Sequence, residues 1–516
     1  MAATPSSSLF ELIKSLSKSE KRYFKVYSSK HTIGEENNYI TLFDYIDSQA
    51  EYDEERVFKD FKGEAFLNKF SITKKRLQDN IMRALDSYHA NSTIDSQLYR
   101  MLHYADILYS KSLYGQCKKC LISAEKVARK HGKYHVLLEI NSKTKKLIEN
   151  TGYSGISNEY LENLAHENLE MIRKSNDYTI LWNIKSKLIL RLNTMGVARS
   201  RAEKLAFETI YQMYQHHDFA DTFDNLYLIN HINAAYYFAV GEMENSLTHI
   251  LKNKQLFETN KDRLSEEINV YFSLITNAIY IYNQLGNYEE VSQLLSELKT
   301  ISSNLGETAS DDMNIKLFSS INSTELMLLN GKGDFKRALD LLPVIEEGYR
   351  LYSDKINTSR RAYLNYNIAV AYFGIDDFSG ALKWLNTILN DKEFDEKQDL
   401  FCFAQLLNLI VHFELNNHQL LPYAIKNTQR YLKSRNKVYK FEELFLKYLN
   451  KLSKVEKPLD QLDLLEEILV QVKPLAEDPF ERNVLDSFKF IQWAESKILN
   501  KTIAELVESA YYQRSK

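Results

Sequence analysis

Leu285-Gly286-Asn287-Tyr288-Glu289-Glu290-Val291 reads as a two-residue turn, then an aromatic, then a branched apolar residue one helical turn later. The pattern returns as Gly333-Asp334-Phe335-Lys336-Arg337-Ala338-Leu339 and again as Asp376-Asp377-Phe378-Ser379-Gly380-Ala381-Leu382. Each copy lies between two stretches with apolar residues at helical spacing. Counted at the residue after the turn, Met243 to Tyr288 is 45 residues, Tyr288 to Phe335 is 47 and Phe335 to Phe378 is 43. A weaker copy centres on Asn416, Asn417 and Ala424. Recurrence at such intervals marks a helical solenoid, in which each hairpin buries its apolar faces only against its neighbours.

Proline and glycine usage agrees. Among 516 residues there are six prolines, none between Pro5 and Pro343, and only 15 glycines. Proline breaks helix interiors and glycine weakens them, so a chain nearly free of both reads as helix after helix. Strand-type alternation is scarce. Apolar residues make up 44% and charged residues 26%, which excludes wholesale disorder. Sixty-six basic and 69 acidic residues give a net charge of −3, which is not the footprint of a dedicated nucleic-acid binder. Three cysteines, Cys117, Cys120 and Cys402, make no disulfide framework and fit a reducing cytoplasm. Met1 to Ser8 lacks the basic and apolar parts of a secretory signal. No run approaches the roughly 18 apolar residues of a membrane span, so no membrane contact is expected.

Three regions are expected. Residues 1–92 form an N-terminal helical domain without the repeat signature. Its Ser17-Lys18-Ser19-Glu20 is a capping box, with the serine accepting from a backbone N–H and the glutamate reaching back. Ser71 or Thr73 would cap a later helix through Leu77, Ile81 and Leu85. Residues 93–455 form the repeat array, about six to eight hairpins long. Within it, Gly115 and Gln116 are read as a turn, and Glu159 to Gln215 as three helices. Residues 456–516 form C-terminal capping helices, including one from Asn483 to Leu499. The fold class is all-α.

Asn365 to Asn390 carries the strongest resemblance to a known family. Ile368, Ala369 and Tyr372 fill a large, small, aromatic series in a first helix; Phe378, Ala381 and Leu385 fill an aromatic, alanine, bulky series in a second. The preceding copies hold Tyr288, Val291 and Leu295, then Phe335, Ala338 and Leu342. The chain thus resembles the tetratricopeptide repeat family over roughly 230–430, with Ser246 at an alanine slot and Leu329 at a first-helix aromatic slot. The resemblance implies a protein-interaction module that holds a partner's peptide or helix in a concave groove lined by first helices. It maps His231, Thr276, Asn277, Tyr280, Asn283, Thr324, Asn330, Tyr363, Tyr366 and Asn367 onto that groove. Asparagines and tyrosines there would hydrogen-bond a peptide backbone. Tyr366→Ala is expected to leave the fold intact.

Motifs for chemistry are weak. Cys117-Lys118-Lys119-Cys120 lacks the second ligand pair that zinc needs and reads as core packing. His216-His217-Asp218 has no third partner in view and reads as a turn. No Gly-rich phosphate loop, HExxH or GxSxG occurs, so the expected protein is not an enzyme and uses no cofactor. The rival reading is a signalling or transcriptional regulator. There the repeats sense a ligand while Lys74, Lys75, Arg76 and Arg83 of the N-terminal domain meet DNA or a partner.

Overall fold

The computed structural model describes residues 7–30, 38–90, 92–215, 217–306, 310–352, 355–391, 398–435, 437–478, 481, 484–485 and 489–514. Among them all regular structure is helical, with no strand. The chain divides into two compact units, Met1–Met171 and Ile172–Lys516. The division falls inside the helix Asn158–Met195.

In the first unit, helices Ser8–Ser15, Lys18–Lys30, Asn38–Ser48 and Phe70–Tyr88 enclose a core of Phe24, Phe43, Leu77 and Ile81. The Phe24 and Phe43 rings are 4.6 Å apart. The capping box is present: Ser17 N donates to Glu20 Oε2 at 2.7 Å and Glu20 N to Ser17 Oγ at 3.2 Å. No side chain caps the Phe70–Tyr88 helix, because the 3-10 turn Ala65–Lys69 runs straight into it. Thr73 instead donates its hydroxyl to the Phe66 and Lys69 carbonyls. A second core joins Ile94–Ser110, Tyr114–Lys130 and Tyr134–Asn150. The turn there is made by Ser112 at φ 61°, not by Gly115, which lies within the following helix. Cys117 is buried in this core, and the Cys120 thiol donates to the Met101 carbonyl at 3.2 Å.

The second unit is built of successive antiparallel pairs. Phe223–Ala239 packs on Met243–Thr259, Ile268–Leu285 on Tyr288–Leu305, and Asp311–Lys332 on the broken helix Phe335–Leu339 and Leu342–Tyr352. Thr358–Gly374 then packs on Phe378–Leu389, and Gln398–Glu414 on Leu421–Ser434. One backbone device makes every turn within these pairs. A left-handed residue, Gly241, Gly286, Gly333, Asp376 or Asn416, ends the first helix. The next residue's N–H then reaches back to a carbonyl in the last turn: Asn287 to Tyr282 at 2.9 Å, Asp334 to Leu329 at 3.0 Å, Asp377 to Tyr372 at 3.0 Å and Asn417 to His412 at 3.1 Å. This Schellman arrangement satisfies the orphan carbonyls, and its positive φ explains why the repeat turns hold Gly, Asp or Asn.

The residue after each turn seals the array. Phe335 is fully buried, and its ring lies so close to Gly374 of the next first helix that a Cβ there would stand 2.3 Å from it. Ser246, standing in an alanine slot, is tolerated because its hydroxyl donates to the Ala234 carbonyl at 2.8 Å.

Two expectations are corrected. Glu159 to Gln215 is not three helices: one 38-residue helix, Asn158–Met195, precedes Arg201–Tyr211 and a 3-10 turn. Asp177 is buried in that helix and accepts from the Ala220 N–H at 2.9 Å. Of the expected helix Asn483 to Leu499, the stretch Phe490–Leu499 is a helix that begins only after Lys489 at φ 56°; Asn483 and residues 486–488 lie outside the described residues. That helix and Ile503–Arg514 double back along the turns. Trp493 Nε1 donates to Glu414 at 2.6 Å, and the Tyr511 ring reaches Tyr288 at 4.9 Å.

Candidate functional site

First helices of successive pairs line three adjoining hollows in the second unit, of about 380, 330 and 220 Å³. Tyr280 belongs to all three. The central hollow contains Asn283, Asn330, Tyr363, Tyr366 and Asn367. His231 and Asn277 line the second, and Thr276, Asn277, Thr324 and Tyr363 line the third.

The lining follows the repeat. Phe238, Asn283 and Asn330 hold equivalent places, since the carbonyl of each accepts the turn hydrogen bond from the left-handed residue. All three sit at the C-terminal end of their helix. In the next pair the lining moves to Tyr363, Tyr366 and Val370, in mid-helix, and then to Asp399 and Phe403, at the start of Gln398–Glu414. The hollow therefore crosses the helices obliquely, as a twisted array requires.

Among the lining groups that were not legible are Leu192 and Gly196 from the end of the long helix, Asp399, Phe403 and Lys489. The segment from Met195 to Glu203 joins the first pair to residues that follow the last one, on and beside the helix Lys440–Leu452. Ala198 N donates to the Ala239 carbonyl at 2.7 Å. Lys437 donates to the Met195 carbonyl. Arg199 pairs with Glu442 at 2.5 Å and Glu481 at 2.7 Å, with 12%, 2% and 3% of the three side chains exposed. The guanidinium lies 3.9 Å over the Tyr439 ring, and Glu481 also accepts from the Lys440 and Phe441 N–H groups. Burial pushes the Glu442 carboxyl up, while Arg199 opposes that shift. The pairs of this unit thus close around the central hollow.

The walls are aromatic and amide. Asn330 Nδ2 donates to the Asn367 carbonyl at 2.8 Å, and Asn367 Nδ2 to the Tyr363 carbonyl at 2.8 Å. The Asn283 and Asn330 Oδ1 atoms are buried without a hydrogen-bond partner. Burial raises the Tyr280 and Tyr366 phenols and pushes Tyr363 up to about 12, so all three stay protonated near neutral pH. Tyr366 is 5% exposed and belongs to the hydrophobic core. Tyr366→Ala would therefore cost stability as well as contact, contrary to the expectation of an intact fold, and Tyr366→Phe is the informative change.

His231 is lowered to about 4, chiefly by burial and secondarily by Lys185. Between that value and the ordinary 6.5, the unfolded chain binds a proton that the folded chain does not. Its contribution is full above pH 6.5 and is lost as pH falls toward 4. His231→Leu is expected to remove up to about 2–3 kcal/mol of the stability lost between pH 7 and 4.5. Denaturant midpoints at the two pH values read this, and an equal decline in both proteins would contradict it.

Elsewhere, Lys75, Arg76 and Arg83 are exposed on the Phe70–Tyr88 helix, but Lys74 is held by Glu54 at 2.5 Å. His216 lies outside the described residues. Among the described residues, no cluster of three His, Cys, Asp or Glu is disposed to hold a metal, and no helix is long and apolar enough to cross a membrane. No family model and no curated protein sequence matches the chain.

Proposed function

We propose that Ile172–Lys516 is a non-catalytic protein-interaction module of the tetratricopeptide type, which holds an extended peptide segment of a partner in the central hollow. The observation that carries this reading is the pair of buried acceptors, Asn283 Oδ1 and Asn330 Oδ1, left without donors on residues that line the hollow with Tyr280, Tyr363 and Tyr366. A buried acceptor left unmet costs about 1–3 kcal/mol. An extended peptide offers an N–H at nearly every residue and fills alternate recesses with side chains. A preformed wall adds little ordering cost on binding. The free thiols Cys117, Cys120 and Cys402 suit a reducing compartment such as the cytoplasm.

Selection of a displayed peptide library against the whole chain tests this. Wild-type protein is expected to enrich uncharged, extended sequences. Asn283→Ala, at a residue only partly buried, is expected to bind the selected peptides roughly three- to tenfold more weakly, one hydrogen bond's worth. Failure to enrich any sequence, or equal binding by the variant, would refute it. The rival reading keeps Lys75, Arg76 and Arg83 for DNA phosphates but loses Lys74 to Glu54. It requires DNA affinity that falls steeply with added salt.

A further inference from the structure

The second hollow differs in kind from the central one. It is walled by Phe223–Ala239, Met243–Thr259, Ile268–Leu285 and the end of Asn158–Met195. Apolar side chains such as Ala235, Ile250, Leu274 and Ile281 make most of its surface, and no acidic or basic residue lines it other than His231. Phe238 and Tyr280, edge to face at 5.8 Å, belong to both hollows and stand between them. Its volume of about 330 Å³ falls at the lower end of small-molecule sites.

Several polar groups in this wall are occupied by the protein. The Ser246 hydroxyl is bound to Ala234, and His231 Nδ1 shares a 3.1 Å hydrogen bond with the Tyr227 hydroxyl. Asn253 Nδ2 donates to the Tyr227 carbonyl at 3.0 Å, which fixes the amide's orientation. Its other end is unmet: Asn253 is 1% exposed, and its buried Oδ1 has no partner. Ala235 is buried yet belongs to none of the hydrophobic core clusters.

We propose that this cavity binds a neutral, mainly apolar small molecule of two or three rings that carries one hydrogen-bond donor, directed at Asn253 Oδ1. A charged ligand would lose its hydration against a wall in which His231 is neutral near pH 7; Lys185, which acts on His231, is not among the lining residues. A wholly apolar ligand would leave the acceptor unmet. The site does not depend on the peptide reading, since its walls lack Asn283 and Asn330.

Fluorescence titration of the full chain tests it with two probes on one skeleton. N-phenyl-1-naphthylamine is neutral with a single N–H; 8-anilino-1-naphthalenesulfonate adds a negative charge. The neutral probe is expected to bind saturably, and the anion at least about tenfold more weakly. Ala235→Leu, with helical signal and melting temperature retained, is expected to abolish binding of the neutral probe. Asn253→Leu is expected to weaken it roughly three- to tenfold. Should that variant misfold, 1-phenoxynaphthalene, with an ether in place of the N–H, gives the same comparison on wild-type protein by competition. Equal binding of neutral and anionic probes would overturn the proposal. So would unchanged affinity in Ala235→Leu, equal competition by the ether, or displacement of the probe by a peptide confined to the central hollow.

Discussion

Arg199→Met is expected to destabilise the second unit by about 3–5 kcal/mol, the cost of removing one partner from a buried ion pair. The reason is what remains. Glu442 and Glu481 are almost wholly buried, and Arg199 pairs with both. Without it, two carboxylates face each other in a site whose burial already pushes Glu442 upward. Methionine keeps the packing of the aliphatic stem, so the loss isolates the charge. Adding Glu442→Gln and Glu481→Gln is expected to restore part of the loss, because a neutral cluster needs no counter-ion. Denaturant unfolding, followed by a probe within Ile172–Lys516, measures both. A loss below about 1 kcal/mol would show that the junction around Arg199 does not close the array.

Phe335→Ala is expected to cost about 3–5 kcal/mol, the usual range for an aromatic removed from a tight core. Its ring fills the space that Gly374 leaves open on the next first helix. No small movement closes that gap, since Gly374 lies on a helix held on both sides. Phe378 occupies the same repeat position but is only half-buried. Phe378→Ala is expected to cost distinctly less. Equal losses at the two positions would mean that burial between neighbouring pairs is not what the post-turn aromatic supplies.

The turns were legible because a left-handed backbone restricts residue choice, so Gly286, Gly333 and Asn416 carry the information locally. The inner face was legible by register: once Asn283 and Asn330 are placed beside their turns, equivalent positions follow. Four things were hidden, each for a physical reason. Arg199, Glu442 and Glu481 are far apart in the chain, and each reads locally as a solvated charge. Asp399 and Phe403 escape because the lining drifts along the helices as the array twists, which no fixed spacing records. The 38-residue helix was hidden because the apolar spacing across Glu159 to Gln215 is degenerate and only the helix end is marked, by Gly196 at φ 74°. Ser112 replaced Gly115 at a turn because a non-glycine residue accepted a positive φ there, against the general preference.

Backbone hydrogen exchange, with and without a library-selected peptide, tests the central claim most directly. The account predicts added protection confined to the first helices that face the hollow, Ile268–Leu285, Asp311–Lys332 and Thr358–Gly374. Protection centred instead on Tyr288–Leu305 and Phe378–Leu389, or on the helices of Met1–Met171, would contradict it.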